Sequence, residues 1–456
     1  MMLSLGLLLI AILALSCLST SIFNQQDGAL AQQYIQTIKS KDLVIDLGNG
    51  LRTNAQLTFP AIGKGPFPGV LLVHGAGPND MNYGGMFSQI AQYLTERGFV
   101  VLRYDKRGIG ENNTIINNSV WENMTYDELV HDAEKAVEVL AQQPEVDAKR
   151  ISIFGHSEGG ETTSRVAIDN PTTKIKNIVL ADARIQNTRD VLYFLYVGLP
   201  LEYAKQVLDK NHTGSISIQQ AVNNPIFGHY MAFSLADNQK NYSSSATTNT
   251  TDLGTLASVL YGSENSSSNR NTTTTRQIVG SSAAGSISID KQLKPMIEKT
   301  YEDAFKTSIG EIHSKCETPG LCPKYFNSLI GLEESTLNII GNVSSSTGIL
   351  ILHGQNDSGS PVQQAFLLQQ RLTELNHPDH TLITYPNLGH DLYPSSMWRT
   401  EIGPTPEYVL ADLYAWLEPH SGLSTPSATT ITAPATGTNT SSLNIGTNSS
   451  RSSSER

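Results

Sequence analysis

Three residues far apart in the chain could together perform nucleophilic chemistry: Ser157, Asp357 and His390. Ser157 lies in Gly155-His156-Ser157-Glu158-Gly159-Gly160, between the apolar run Arg150 to Phe154 and the stretch Glu161 to Ile168. The first reads as a short buried strand and the second can open a helix. A Gly-x-Ser-x-Gly in that context holds a serine on a sharp turn with its hydroxyl exposed. Glycines suit the turn because it is strained and its backbone packs closely on its neighbours.

A serine hydroxyl needs a base to take its proton, a carboxylate to orient that base, and donors for the oxyanion that forms. Asp357 ends Leu352-His353-Gly354-Gln355-Asn356-Asp357, just beyond a buried strand, and His390 ends Pro386-Asn387-Leu388-Gly389-His390, just beyond the next one. The chain order is thus nucleophile, acid, base. The bland alternative for Asp357 is a turn aspartate ahead of the helix near Pro361. Asp182, after an earlier strand, is the reserve acid. The loop His74-Gly75-Ala76-Gly77-Pro78 follows the apolar run Val70 to Val73 and can aim a backbone N–H at the carbonyl above Ser157. By position, the oxyanion donors are the N–H groups of Ala76 and Glu158. The charges of Arg103 to Gly108 read as ion pairs bracing the pocket wall.

The elements that must place these groups alternate between short apolar strands and helical stretches, the mark of an α/β fold with a mainly parallel sheet. Leu51 to Phe59 reads as an early antiparallel strand, Val70 to Val73 as a central strand covered on both faces, and Phe99 to Tyr104 as the next, after a helix over Gly85 to Arg97. Thr125-Tyr126-Asp127-Glu128 has capping-box spacing ahead of a face of Leu129, Ala133, Ala136, Val137 and Leu140. Ile178 to Leu180, Ile349 to Leu352 and Thr381 to Tyr385 supply further strands. Thr405-Pro406 predicts an N-cap followed by proline at the first helical position, with Leu410, Leu413 and Leu417 turned inward. Between Arg184 and Ser346 the alternation stops, leaving helix-like stretches at Val191 to Leu208 and Lys291 to Phe305, and helices there are expected to bury little core. The division expected is an N-terminal segment 1–33, a catalytic core over 34–183 and 347–420, a cap inserted at 184–346 and a tail 421–456. Ser, Thr, Asn and Gly dominate the cap's centre, 242–288, and the tail, so both are expected to be disordered.

The motifs resemble those of α/β-hydrolase superfamily serine hydrolases, in particular a prokaryotic branch that combines an HGxGP-type loop (His74 to Pro78), an RYDKRG-type loop (Arg103 to Gly108) and a GHSEGG elbow. The resemblance covers Leu51 to Asp182 and Gly348 to Leu417. It implies an α/β-hydrolase fold and hydrolysis through the Ser157, Asp357 and His390 triad without metal or organic cofactor. It leaves open the bond cleaved, since esterases, thioesterases, peptidases and lipases share these motifs. The readings carried forward are an exported carboxylic ester hydrolase, a serine aminopeptidase or acyl-peptide hydrolase, and a non-catalytic glycosylated surface binding protein. The substrate expected is a small-molecule ester or short peptide. A binding protein would be expected to lack a triad member, and all three are present.

A net charge of -11 without a concentrated basic patch argues against nucleic acid. Met1 to Leu18 is nearly all apolar and carries no charged side chain, which suits a signal h-region or a membrane anchor. Cys17 after Ala14-Leu15-Ser16 faintly resembles a lipoprotein cleavage box, so cleavage, lipidation and retention stay open. The chain is expected at the cell surface or outside the cell. Of its 3 cysteines, Cys316 and Cys322 flank Glu-Thr-Pro-Gly-Leu and read as a disulfide rather than half a zinc site, which would need a second ligand pair. Dense Asn-x-Ser/Thr acceptors, Asn112, Asn117, Asn241 and Asn271 among them, fit a glycosylated surface.

Overall fold

The computed structural model describes residues 38–170, 173–217, 221, 224–227, 285–299, 301–302, 322–332 and 334–423. Eight strands form one sheet: β1 (Ile38–Gly48), β2 (Leu51–Pro60), β3 (Phe67–Val73), β4 (Val100–Tyr104), β5 (Val146–His156), β6 (Ile175–Ala181), β7 (Gly348–Gly354) and β8 (His380–Tyr385). Their spatial order is β1-β2-β4-β3-β5-β6-β7-β8. β2 is antiparallel to both its neighbours, and every pairing from β4 to β8 is parallel. The architecture is the α/β one expected, and β2 is the antiparallel strand foreseen over Leu51 to Phe59. The edge strand β1 was not singled out in the sequence.

Strand residues alternate between two apolar layers, so both faces of the sheet are covered, as parallel strands require. Register places Leu71 opposite Ile153, Ile153 opposite Ile178 and Ile178 opposite Ile349. That row packs against α2 (Tyr126–Ala141), α3 (Glu158–Asp169) and α4 (Gln363–Glu374). Val70, Leu72, Phe154, Val179 and Leu350 face the other way, onto α1 (Met86–Thr95) and α5 (Glu407–His420). Each such Val, Leu, Ile or Phe contributes about 1.5–3 kcal/mol of transfer free energy when fully buried, so these rows fix the register.

Helix starts follow local chemistry. Thr125 and Glu128 form the expected capping box at α2, with Glu128 Oε2 accepting from the Thr125 N–H at 2.7 Å. At α5 the expectation is off by one residue: Pro406 occupies the N-cap and the helix begins at Glu407. The Thr405 main chain is instead held by the Gln89 amide, which accepts at 2.9 Å and donates at 2.8 Å.

Within the insertion, helical turns run from Thr188 to Leu208, much as expected. Two features differ from the sequence reading. Ser215–Ser217 pairs antiparallel with Ser286–Ser288, so this region is not free of strands. Its described part also builds a core of its own: Leu192, Val197, Leu201, Ile289, Leu293 and Tyr325 cluster with Trp121, Met124 and Tyr126. The expectation that its helices bury little core is therefore corrected. The expected disordered centre and tail lie outside the described residues, save 285–288 and 421–423.

Candidate active site

Because β3, β5, β6, β7 and β8 are parallel, the loops after them leave from one edge of the sheet. That edge is where open α/β sheets bind ligands. Ser157 follows β5 directly and is the N-cap of α3, with φ 54° and ψ -120°. A non-glycine residue at positive φ is strained and persists only when its surroundings hold it. Here the Ser157 N–H donates to Ala181 O at 2.9 Å, and Ser157 O accepts from the Gly160 N–H at 3.0 Å. A Cβ on Gly155 would collide with the Gly159 carbonyl and the Thr163 hydroxyl, and one on Gly159 with the Val73 carbonyl. Helix α3 can approach β3 and β5 this closely only with glycine at both places.

The structure brings Ser157, His390 and Asp357 into one hydrogen-bonded line. Ser157 Oγ is 2.9 Å from His390 Nε2. His390 Nδ1 is 2.9 and 3.0 Å from the two Asp357 oxygens. Asp357 is a turn residue as well, since its Oδ1 accepts from the N–H groups of Gly359 and Ser360, both at 2.7 Å. Burial works against ionising Asp357, but His390 and His353 beside it outweigh that and hold its carboxyl well below the ordinary range. For His390, burial opposes protonation, and the charge and hydrogen bond of Asp357 more than offset it, so its pKa is raised. A hydroxyl aimed at an imidazole that is oriented by a buried carboxylate can be activated as a nucleophile.

Asp182, the reserve acid, does not join this line. It is fully buried at φ 46°, and its Oδ1 accepts from the Gly354 N–H at 2.8 Å. Burial, reinforced by the nearby charge of Asp357, pushes its carboxyl pKa well up. Among the described residues, Asp182, His353 and Asp357 are the one group with ligand-type atoms close enough to hold a metal ion. Each already binds a protein partner: Asp182 through Gly354, His353 through the Ser360 carbonyl at 2.7 Å, and Asp357 through His390.

Of the expected oxyanion donors, Glu158 opens α3, where the first N–H groups lack intrahelical partners. Ala76 follows Gly75, whose missing Cβ would lie 3.1 Å from Ser157 Cβ, so this loop sits directly beside the serine. Asn79 shapes it, its Nδ2 donating to the carbonyls of Gly75 at 3.0 Å and Ala76 at 2.9 Å.

Further contacts surround the line; the ion pairs expected of Arg103 to Gly108 are among them, whereas the partners of His156 and the part played by Arg184 had no signal in the sequence. His156 donates from Nε2 to the His390 carbonyl at 2.7 Å, and its Nδ1 accepts from the Tyr83 hydroxyl at 2.9 Å. Burial, with His390 adding to it, pushes the His156 pKa down to about 3, so it is neutral. Lys106, Arg184, Glu158 and Glu161 form a buried charge cluster under the elbow. Lys106 pairs with Glu158 at 3.3 Å, and Arg184 bonds Glu158 at 3.4 Å and Glu161 at 3.3 Å. Cys322 is disulfide-bonded, whereas Cys316 lies outside the described residues.

The family description "Serine aminopeptidase, S33" matches residues 66–273, and "Prolyl oligopeptidase family" matches residues 327–424. The chain is similar to a protein named Esterase EstD of Thermotoga maritima, 36% identical over 136 residues that make up 29% of this chain and 30% of that protein. It is also similar to Esterase FrsA of Yersinia pestis, 27% identical over 131 residues, 29% of each chain. The matched stretch thus spans less than a third of either relative. A solved structure titled Alpha/beta hydrolase GrgF, from Penicillium sp. sh18, shares 15% identity, with 84% of this chain and 99% of that chain covered and a TM-score of 0.44.

Proposed function

We propose that this chain, which belongs to the α/β-hydrolase superfamily of serine hydrolases, cleaves carboxylic esters of small molecules through an acyl-enzyme on Ser157. The observation that carries the reading is the unbroken line from Ser157 Oγ through His390 to Asp357. His390 takes the hydroxyl proton as Ser157 attacks the ester carbonyl, then returns it to the leaving alcohol. Asp357 holds the imidazole in the tautomer that accepts at Nε2. The N–H groups of Ala76 and Glu158 take the developing oxyanion. Water, activated by the same histidine, then releases the acyl group.

Esters are favoured over peptides by one local feature. A peptidase that trims from the amino end needs a carboxylate to receive the substrate amine. Two of the buried carboxylates next to the elbow, Glu158 and Glu161, are already paired with Lys106 and Arg184. The similarity to proteins named esterases agrees. The serine aminopeptidase match keeps amide cleavage as the alternative. We further infer that the protein acts outside the cytoplasm, attached through or released from its apolar N-terminal segment. A disulfide at Cys322 supports an oxidising compartment.

A fluorophosphonate probe, followed by p-nitrophenyl esters and amino-acid anilides, tests the reading. Labelling at Ser157 with turnover of esters and not anilides is expected. Anilide turnover as fast as ester turnover would favour the aminopeptidase, and absence of labelling would make the protein a binding scaffold.

A further inference from the structure

We propose that Lys106 is the positioning residue that sets both oxyanion donors of this site, a role resting on the hydrolase reading above. Lys106 lies in the loop after β4 and is 4% exposed. Its Nζ donates to the Gly75 carbonyl at 2.8 Å and contacts Glu158 Oε1 at 3.3 Å. These two partners adjoin the two donors, one sharing a peptide group with the Ala76 N–H and the other being the side chain of Glu158. The Gly75 carbonyl and the Ala76 N–H are opposite ends of one planar peptide group. A cation on the carbonyl fixes that plane and polarises the peptide, which strengthens the N–H on its far side. The Glu158 carboxylate belongs to the residue whose own N–H is the second donor. One ammonium group therefore grips both walls of the oxyanion pocket from behind.

Other contacts show that this grip is built rather than incidental. Asn79 adds a neutral hydrogen bond to the same Gly75 carbonyl at 3.0 Å and, through its own carbonyl, accepts from the Lys106 N–H at 3.1 Å. On the far side of Glu158, Arg184 bonds the other carboxylate oxygen at 3.4 Å and ties it to Glu161. Two cations and two carboxylates thus balance. A buried ion pair of this kind is a poor source of stability against an apolar replacement, whereas it does lock orientation. Burial draws the Lys106 pKa down, and Glu158 offsets only part of that.

The test compares Lys106→Met with the unmodified enzyme on p-nitrophenyl acetate and on a trifluoromethyl ketone. The ketone adds to the active serine and places an oxyanion on the same donors. Since removing one direct oxyanion donor costs about a hundred- to a thousandfold in kcat, loss of its positioning group should cost about ten- to a hundredfold. KM should stay nearly constant, and affinity for the ketone should fall by the same factor as kcat. A folded variant that keeps both kcat and ketone affinity overturns the assignment, as does one that loses kcat alone. Should Lys106→Met fail to fold, the double variant Lys106→Met with Glu158→Gln removes one charge of each sign and leaves Arg184 paired with Glu161. It should show the same joint loss, and failure of both variants to fold would make the pair structural and overturn the proposal too. If the unmodified enzyme neither hydrolyses esters nor takes up fluorophosphonate, the hydrolase reading itself has failed, an outcome distinct from all of these.

Discussion

His156 donates its Nε2 hydrogen to the main-chain carbonyl of His390 across 2.7 Å. The residue just before the candidate nucleophile thereby anchors the residue proposed as its base. Two loops that leave different strands are tied together beneath the reacting atoms. His156 can hold this tie because burial keeps it neutral and the Tyr83 hydroxyl occupies its Nδ1, which fixes one tautomer. Its place in the elbow motif is therefore structural, which leaves the proposed chemistry to Ser157.

The nucleophile is tested most directly. Ser157→Ala should abolish ester turnover and fluorophosphonate labelling while leaving the melting temperature close to that of the unmodified protein. The change removes only the hydroxyl, which bonds His390, and keeps the Cβ and the backbone at φ 54°. Labelling at the unmodified rate would sink the assignment.

Asp357 and Asp182 make a second, paired test. Asp357→Asn should lower kcat by about a thousandfold or more, because the amide favours the wrong imidazole tautomer. Asp182→Asn should cost only a small fraction of that. Asp182 makes no hydrogen bond to His390, and its carboxyl is already pushed towards the neutral form, so an amide still accepts from Gly354. A larger loss from Asp182→Asn would move the acid to the strand before.

The acid limb of the pH profile follows from His390. It must be unprotonated to accept from Ser157, and its pKa is raised from the ordinary 6.5, burial being outweighed by Asp357 with help from Asp391 and against Arg184. Activity should therefore be lost as pH falls through a midpoint above 6.5. In the residual activity of Asp357→Asn, burial acts without that carboxylate, so the midpoint should move down. A midpoint unchanged by Asp357→Asn would show that the carboxylate does not set the histidine. The measurement is kcat/KM across pH.

What the sequence could and could not reveal follows from the range of the interactions involved. Ser157, Asp357 and His390 were legible because each follows an apolar strand, and parallel strands deliver their ends to one edge. The capping box of Thr125 and Glu128 was legible because it is local. Strand β1 was not, since Lys39 and Lys41 share the face of the inward Leu43, Ile45 and Leu47, and the apolar Val44 lies on the exposed face, which blurs the alternation. The pairing of Ser215–Ser217 with Ser286–Ser288 joins two short polar pieces across a long stretch of chain, which no periodicity marks. The core of the insertion was missed for a related reason. Leu192, Ile289 and Tyr325 belong to segments far apart in the chain and become a cluster only once the chain folds back on Trp121. The His156 bond to His390, and the grip of Lys106 on Gly75 and Glu158, are likewise tertiary.

The last prediction concerns the brace beneath the site. Arg107 makes a two-pronged bond to Asp132, with Nε to Oδ2 and a terminal nitrogen to Oδ1 both at 2.7 Å, and meets Glu128 at 2.6 Å. Arg107 and Asp132 are both buried. Through Glu128, Arg107 also touches the capping box that starts α2, so one guanidinium joins the loop after β4 to the helix beside it. Removing one partner of a buried pair strands the other charge, so Arg107→Ala should destabilise the fold by about 3–5 kcal/mol. Replacing both, as Arg107→Met with Asp132→Leu, leaves no stranded charge in the pair and should recover most of the loss. Urea denaturation of Arg107→Met, of Asp132→Leu and of the double variant supplies the cycle. If the double variant is as unstable as the sum of the singles, the pair is not coupled and the brace is an accident of packing.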